Sequence, residues 1–206
     1  MKFLIFLFLL LTLQSCATKK YINKQLLPEG IKSATEEMYA VVNNQKRLLY
    51  KKQMVFTKNG RVKYSKTVDT AGNLLQETKK KLWFEVQLYP DKEPYYCKTR
   101  WKPRQRERIS CYTRKKYKQN EAIYYYNKNG TIDKIADNFT TFNTQYFYYS
   151  NNELSKIVIK DKNETVIDVV VISCEMKDES GICLKEIRVS TKTKRKEEIH
   201  FIPKYN

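Results

Sequence analysis

Residues 124–135 read YYYNKNGTIDKI, and they contain the unit on which the predicted fold rests. Three consecutive tyrosines, which suit a half-buried strand, lead into a polar segment that ends at Gly130, and apolar residues resume at Ile132. Asn and Gly tolerate the positive φ angles that a tight hairpin requires. Because neighbouring strand residues point to opposite faces, the tyrosine run requires either that both faces are covered or that one is an exposed aromatic platform. The stretch therefore predicts strand, hairpin turn and strand.

The same layout recurs along the chain: a large residue, a polar turn, a glycine and an apolar residue two positions later. It occurs at 56–62, 68–74 and 126–132, without the glycine at 149–154, and in weaker form at 160–166. Such units cannot bury a face singly, but several in succession build one long antiparallel meander. We therefore predict an all-β fold, an antiparallel repeat-like β-meander in a single extended or curved sheet, with sandwich or barrel-like closure left open.

Further strands are indicated by stretches rich in Tyr, Val, Ile, Phe and Thr. These stretches are 37–42, 48–56, 82–89, 121–126, 145–149, 156–160 and 166–174. Residues 31–49 also fit a helix with its charged residues outward. Asn43 and Asn44 would interrupt that helix, so we predict a hairpin there instead.

The repeated unit resembles the YD repeats of RHS-type proteins, which build large toxin shells and also occur in small exported lipoproteins of Bacteroidetes type. The best matches are VDTAGNLL at 68–75 and YYYNKNGTIDKI at 124–135. Every copy in this chain lacks the Tyr-Asp pair, and two copies lack the glycine. The resemblance implies a repetitive β scaffold in a bacterial envelope, and it carries over no activity and no functional residue.

The first sixteen residues, MKFLIFLFLLLTLQSC, predict export. Lys2 precedes an apolar run that is too short for a permanent membrane helix, which needs about 20 apolar residues. The run ends in LQSC, which resembles a lipoprotein signal with Cys16 as the lipid carrier, although Gln14 is bulkier than that pattern usually has. The alternative is a plain secretory signal with an incidental Cys16. The predicted divisions are a signal peptide over 1–15, a lipid anchor at Cys16 and tether over 16–29, and a single antiparallel β domain over 30–206.

Cysteine usage agrees with export. Apart from Cys16, the cysteines form two local pairs, Cys97 with Cys111 and Cys174 with Cys183, each around a polar turn-forming segment. Disulfides persist in the periplasm or at the cell surface, and bridges across loops this short stabilise a fold by roughly 2–3 kcal/mol each. Zinc is the competing use of four cysteines, but no CxxC spacing is present. We predict two disulfides and no metal site.

The formal net charge is +18, from 40 Lys and Arg against 22 Asp and Glu. Such an excess attracts nucleic acid, anionic polysaccharide or lipid headgroups. AT-rich codons, which favour Lys, Asn, Ile, Tyr and Phe together, explain the same charge without a ligand, as do lysines that protect strand edges. Both interpretations stay open at this point.

Sequence motifs for catalysis are not found: the chain has no GxSxG, HExxH, P-loop or dinucleotide-binding fingerprint. The one histidine, His200, lies in an alternating strand-like run, where a structural role is usual. The adjacent pairs Glu36-Glu37 and Glu197-Glu198 point to opposite strand faces, so neither is an acid–base couple. A glycosidase that assembles carboxylates from distant strands is the enzymatic alternative. We predict a non-enzymatic protein with no cofactor.

Binding is better supported, by a basic and aromatic stretch around the first cysteine pair. Cations alternate there with aromatic residues, and the Arg-rich part falls at a hairpin tip braced by Cys97 and Cys111. Arg offers a planar fork for phosphate or carboxylate, and aromatic faces stack on sugars or bases. The competing interpretation is the exposed side of an ordinary hairpin. The predicted macromolecule-binding residues are Arg100, Trp101, Lys102, Arg104, Arg106, Arg108, Arg114, Lys115 and Lys116.

These features predict a lipid-anchored envelope protein. Ala17 is not the aspartate of inner-membrane retention, which favours an outer-membrane location facing the periplasm, with the cell surface as the alternative. The expected partners are the membrane, through the anchor, and an acidic envelope protein or an anionic polymer such as a polysaccharide; nucleic acid is not expected. The alternative function is an immunity or antitoxin-like lipoprotein that neutralises a toxin.

Overall fold

A computed structural model of the chain describes residues 30–58, 60–102 and 106–205. In these residues fourteen strands form a closed barrel, in which strands that are neighbours in sequence are also neighbours in the sheet. All pairs are antiparallel, and β1 pairs with β14 to close the ring. The predicted all-β antiparallel meander is confirmed, in its barrel-like form. The predicted signal peptide, anchor and tether lie outside the described residues.

The strand bounds are β1 Ile31–Val42, β2 Gln45–Phe56, β3 Val62–Val68, β4 Leu74–Lys80, β5 Glu85–Tyr89, β6 Lys92–Lys102, β7 Arg106–Tyr112, β8 Lys118–Tyr126, β9 Ile132–Asp137, β10 Thr144–Ser150, β11 Glu153–Lys160, β12 Val166–Lys177, β13 Cys183–Ser190 and β14 Lys196–Tyr205. The 31–49 segment is thus a hairpin and not a helix. Across the described ranges no helix is long and apolar enough to cross a membrane.

Hairpin turns of one geometry account for the repeated sequence unit at 56–62, 68–74, 126–132 and 160–166. In each, the N–H of the first residue donates to the carbonyl of the fifth, and the N–H of the fourth donates to the carbonyl of the first. The fourth residue has a positive φ, as in a type I turn followed by a left-handed residue. Glycine commonly takes that position, but Lys116 and Glu164 also adopt it, with φ of 67° and 63°. The turns of this kind in the described residues begin at Thr57, Asp69, Thr113, Asn127, Asp161 and Asp178.

Two tighter turns are built from asparagine pairs. Asn43 and Asn44 have φ of 51° and 59°, and Asn151 and Asn152 have φ of 50° and 64°. Positive φ at both central residues defines the type I′ turn, whose twist matches the flanking strands. The sequence prediction of a hairpin at Asn43-Asn44 is therefore confirmed.

Strand direction defines the two ends of the barrel. We call the end that carries Gly30 and Tyr205 the terminal end, and the opposite end the distal end. Because β1 runs away from the terminal end and the strands alternate, every turn that follows an even-numbered strand lies at the terminal end. An apolar cluster packs at that end from residues of the strands and of the β12–β13 turn; its buried members are Ile31, Ala34, Met54, Phe56 and Ile182.

The tyrosine runs are explained by closure of the sheet. Tyr124 lines the lumen, and the Tyr126 hydroxyl donates a 2.7 Å hydrogen bond to Glu107, which is 1% exposed. Tyr125 between them lies on the outer face, where the Lys134 ammonium sits 5.0 Å from its ring centroid. The same ammonium is 5.5 Å from the ring centroid of Tyr146. Neighbouring tyrosines of this run therefore lie on opposite sides of the barrel wall, the inner ones toward the lumen and the outer one beside a lysine side chain.

Candidate functional site: a basic aromatic groove

A groove of about 510 Å³ lies on the outer wall of the barrel, between the β4–β5 turn and the β7–β8 turn. We call it the basic groove. Its lining residues are Phe84, Tyr96, Lys98, Arg100, Tyr112, Thr113, Arg114 and Lys116. The groove therefore combines cations with aromatic rings, as the sequence stretch around the first cysteine pair predicts.

Strand alternation and register place these side chains together. Tyr96, Lys98 and Arg100 follow each other at every second position of β6, so they share the outer face. Tyr96 lies opposite Tyr112 on β7, which brings a second aromatic ring to the same level. Phe84 comes from the neighbouring hairpin, and its ring centroid is 5.8 Å from that of Tyr96. The groove is thus formed by two hairpins and the turn that follows them.

A disulfide holds the wall behind the groove. Cys97 and Cys111 lie directly opposite each other on β6 and β7, with their Cα atoms 3.9 Å apart, and they form one disulfide. Their side chains point away from the groove and are 2% and 3% exposed. Cys174 and Cys183 form the second disulfide, across the β12–β13 turn. The first bridge fixes the register that aligns Tyr96 with Tyr112.

The charge of the groove is not compensated locally. Lys98, Arg100, Arg114 and Lys116 are all exposed, and no carboxylate lines the groove. Within the described residues, none of these four cations lies within 4 Å of a carboxylate oxygen. Like charges held close together in this way create a positive potential that attracts an anionic ligand.

The carboxylate beside the groove, Glu121, is ionised and is bound by partners of its own. Glu121 on β8 is 4% exposed and accepts hydrogen bonds from Ser110 Oγ at 2.8 Å, Lys118 Nζ at 3.2 Å and Asn138 Nδ2 at 2.5 Å. Burial alone would raise its pKa, but these donors outweigh it and lower the pKa of Glu121 to about 2. Glu121 thus carries a structural charge whose partners are the barrel itself, and it leaves the groove cations unpaired.

The predicted binding residues are distributed unevenly over this site. Arg100, Arg114 and Lys116 line the groove, and Arg108 lies opposite Arg100 in the strand register. Lys115 is exposed on the β7–β8 turn but does not line the groove. Arg104 and the side chains of Trp101, Lys102 and Arg106 lie outside the described residues.

The predicted binding residues do not all lie on one hairpin. Arg100 and Arg108 lie on β6 and β7, whereas Arg114 and Lys116 belong to the β7–β8 turn at the distal end. The groove therefore lies on the wall between the β4–β5 turn and the β7–β8 turn. The predicted set of binding residues left out five residues that line the groove, which are Phe84, Tyr96, Lys98, Tyr112 and Thr113. The two-residue alternation from Arg100 back to Tyr96 was the available signal for Tyr96, whereas Phe84 gave none.

The lumen offers a second cavity, of about 760 Å³, with a mixed lining. Its charges are partly satisfied within the barrel, since Glu36 accepts a 3.0 Å hydrogen bond from Tyr50 and Arg188 Nε lies 2.6 Å from Glu186. Burial, more than the nearby Glu36 charge, raises the pKa of Tyr50. The described residues that line the lumen carry charges of both signs, so they differ from the set of like charges in the groove.

The histidine and the acidic pairs have structural surroundings. His200 contacts Glu198, and its ring centroid lies 5.2 Å from that of Tyr39. Burial opposes ionisation of Glu198, but hydrogen bonds from Lys46 and His200 lower its pKa below the ordinary value. In the described ranges, no group of three or more His, Cys, Asp or Glu side chains is arranged to hold a metal ion.

Comparison with known proteins places this chain in no family. No family model matches it, and no curated protein does. Among solved structures, a LolA superfamily protein from Nitrosomonas europaea matches with a TM-score of 0.41 and 9% identity, over 91% of this chain and 90% of that one. A DUF1329 family protein from Desulfovibrio piger matches with a TM-score of 0.40 and 10% identity, over 85% and 86%. A lipoprotein-sorting protein domain from Vibrio parahaemolyticus matches with a TM-score of 0.40 and 8% identity, over 91% of this chain and 90% of that one. Likeness at this level carries no conclusion about this chain, and the resemblance to YD repeats stays a prediction.

Proposed function

We propose that this chain is a non-enzymatic envelope lipoprotein that binds an anionic polysaccharide in the basic groove. The observation that carries the proposal is a set of four exposed cations, none with a carboxylate oxygen of the described residues within 4 Å, arranged around three aromatic rings. Arg and Lys attract the acidic groups of the polymer, and the rings offer flat apolar faces for sugar rings. An acidic protein would satisfy the charges as well, but it would make less use of the aromatic rings.

The charge part of the proposal is tested by charge reversal. We expect Arg100→Glu/Arg114→Glu to weaken binding of fluorescent polygalacturonate by about tenfold or more, because each reversal replaces an attraction with a repulsion. The matched control is Lys128→Glu/Lys162→Glu, which changes the net charge equally at two exposed turns away from the groove. Binding is measured by fluorescence anisotropy over a range of salt concentrations. Equal losses in both variants would mean that the overall charge, and not the groove, holds the polymer.

The aromatic part distinguishes a polysaccharide from an acidic protein. Tyr112→Ala removes a ring from the groove and leaves every cation in place. Stacking contributes about 1–3 kcal/mol per contact, so we expect polygalacturonate affinity to fall at least about fivefold. Affinity for polyglutamate, a polymer without sugar rings, should change little. Equal losses for both polymers would favour an acidic protein partner, including the toxin of an immunity pair.

The anchor part of the proposal concerns Cys16. Its sequence context supports lipidation, export and an outer-membrane location facing the periplasm. We expect the full chain to incorporate labelled palmitate and to partition into detergent, and Cys16→Ser to do neither. Label retained in the Cys16→Ser chain would place the lipid elsewhere and contradict this assignment.

A further inference from the structure

The β4–β5 turn exposes two large apolar side chains at its tip. The N–H of Lys81 donates a 2.8 Å hydrogen bond to the carbonyl of Phe84, which leaves Leu82 and Trp83 as the two central residues. Leu82 is 83% exposed and Trp83 is 81% exposed. The next most exposed large apolar side chain in the described residues is Tyr117, at 67%. Single exposed apolar residues are ordinary, but an adjacent Leu and Trp at one tip form a local interaction surface.

The surroundings of the tip specify the chemistry of its partner. Lys80 and Lys81 precede the tip and are both exposed, and within the described residues neither has a carboxylate oxygen within 4 Å. Tryptophan sits favourably at the boundary between lipid and water, with its ring in the apolar layer and its N–H toward the headgroups. Lysines next to such a residue attract anionic headgroups. A second copy of this chain is a poor partner, because it would bring the same lysines and a net charge of +18.

The position of the tip agrees with a membrane partner. The β4–β5 turn follows an even-numbered strand, so it lies at the terminal end, where the described chain begins at Gly30. A tether over 16–29 would span at most about 50 Å when extended, so a lipid on Cys16 would not by itself orient the barrel. Membrane attachment is stronger with two signals than with a single acyl chain, and the tip would add to the lipid of Cys16 a contact that sets the orientation of the barrel.

We propose that Leu82 and Trp83 insert into the interfacial layer of an anionic membrane, with Lys80 and Lys81 among its headgroups. The tip acts as a second contact beside the proposed Cys16 anchor, and it turns the terminal end toward the bilayer. In this respect the inference rests on the proposed lipoprotein, but it does not depend on what the basic groove binds.

The fluorescence of Trp83 tests the insertion directly. Trp101→Phe leaves Trp83 as the single tryptophan of the full, lipidated chain. The chain is reconstituted with vesicles of phosphatidylcholine and phosphatidylglycerol, some of them made with brominated lipid. We expect a blue shift of the emission, quenching by the brominated lipid and loss of quenching by aqueous iodide. Lys80→Gln/Lys81→Gln should lower the ratio of inserted to exposed Trp83 by about 30-fold on these vesicles, since the attraction of each lysine to anionic headgroups contributes a factor of about five.

A matched reporter at the distal end completes the experiment. Tyr117→Trp in a chain with Trp83→Phe and Trp101→Phe places the single tryptophan at an exposed aromatic position of the distal end, where it should stay accessible to iodide. Flotation of the chain with the vesicles is scored separately, and its loss contradicts the anchor. If Trp83 stays accessible to iodide in chains that float with the vesicles, the proposed insertion of the tip is contradicted. A blue shift of the emission that appears without vesicles contradicts it as well. A chain that neither floats nor shows quenching contradicts both.

Discussion

Glu121 is the charge whose removal should destabilise this barrel in a strongly pH-dependent way. Its carboxylate lies on the outer face at β8, is 4% exposed and accepts three side-chain hydrogen bonds from Ser110, Lys118 and Asn138. These contacts join β7, β8 and the loop after β9. The perturbation is Glu121→Gln, which keeps the shape of the side chain and removes its charge.

The magnitude follows from the pKa of the carboxyl group. Burial opposes ionisation, yet the donors lower the pKa of Glu121 from 4.5 to about 2. At about 1.4 kcal/mol per pH unit, the ionised form contributes about 3 kcal/mol to the free energy of unfolding. Because the pKa is depressed in the folded state, this contribution is present above pH 4.5 and is lost as the pH falls toward 2.

Urea denaturation of both proteins from pH 7 down to acid tests this reasoning. We expect Glu121→Gln to lower the free energy of unfolding by about 3 kcal/mol at pH 7 and by progressively less below pH 4.5, with an unchanged m value. The control is Glu179→Gln, at an exposed position of the β12–β13 turn, which should change stability by less than about 0.5 kcal/mol. A difference between wild type and Glu121→Gln that does not shrink in acid would refute the argument.

Three further predictions concern stability. Replacing Cys97 and Cys111 together by Ser should lower the free energy of unfolding by about 3 kcal/mol in urea, since the bridge spans a sequence separation of 14; a loss below about 1 kcal/mol would contradict this. In thermal unfolding, Asn44→Gly should raise stability by about 0.5 kcal/mol, whereas Asn44→Val should lower it by about 1–2 kcal/mol. The reason is that the φ of 59° at this position suits Gly but not a β-branched residue, and the reverse order of stabilities would refute the turn assignment. Asp137→Ala should speed amide hydrogen exchange over 138–143 at neutral pH, because this carboxylate accepts hydrogen bonds from three backbone N–H groups. Burial would raise the pKa of Asp137, but these donors lower it to about 2, so the carboxylate is ionised at neutral pH. Equal exchange rates in wild type and variant would contradict this role.

The strands and most turns were predictable because their signals are local. The alternation of side chains, the aromatic content and the Asn and Gly positions each act within a few residues, and they indicated the meander. The turn at 113–117 escaped notice because Lys116 takes the left-handed position that glycine takes elsewhere. Its first residue compensates, since Thr113 Oγ1 accepts the N–H of Tyr117 at 3.3 Å. The similarity among units thus reflects a shared turn chemistry, which is enough to explain the sequence pattern.

Closure of the sheet and the full basic groove could not be predicted in the same way. Closure depends on the pairing of β1 with β14, and the local sequence of either strand does not identify the other as its partner. The groove depends on Phe84 from one hairpin reaching Tyr96 on another, which requires the register of three strands. Arg100, Arg114 and Lys116, which line the groove, could be proposed from the sequence because their residue type alone marks them as cations.

The closing pair also sets an arithmetic rule for how such a chain can change. In an up-and-down meander, the first and last strands are antiparallel only when the number of strands is even, and the described barrel has fourteen. If one strand were gained or lost, the last strand would run parallel to β1, and the antiparallel hydrogen bonds that now join β1 to β14 could not form. Related barrels should therefore differ by whole hairpins, and each step should widen or narrow the lumen while the outer wall of β6 and β7 keeps its own local register.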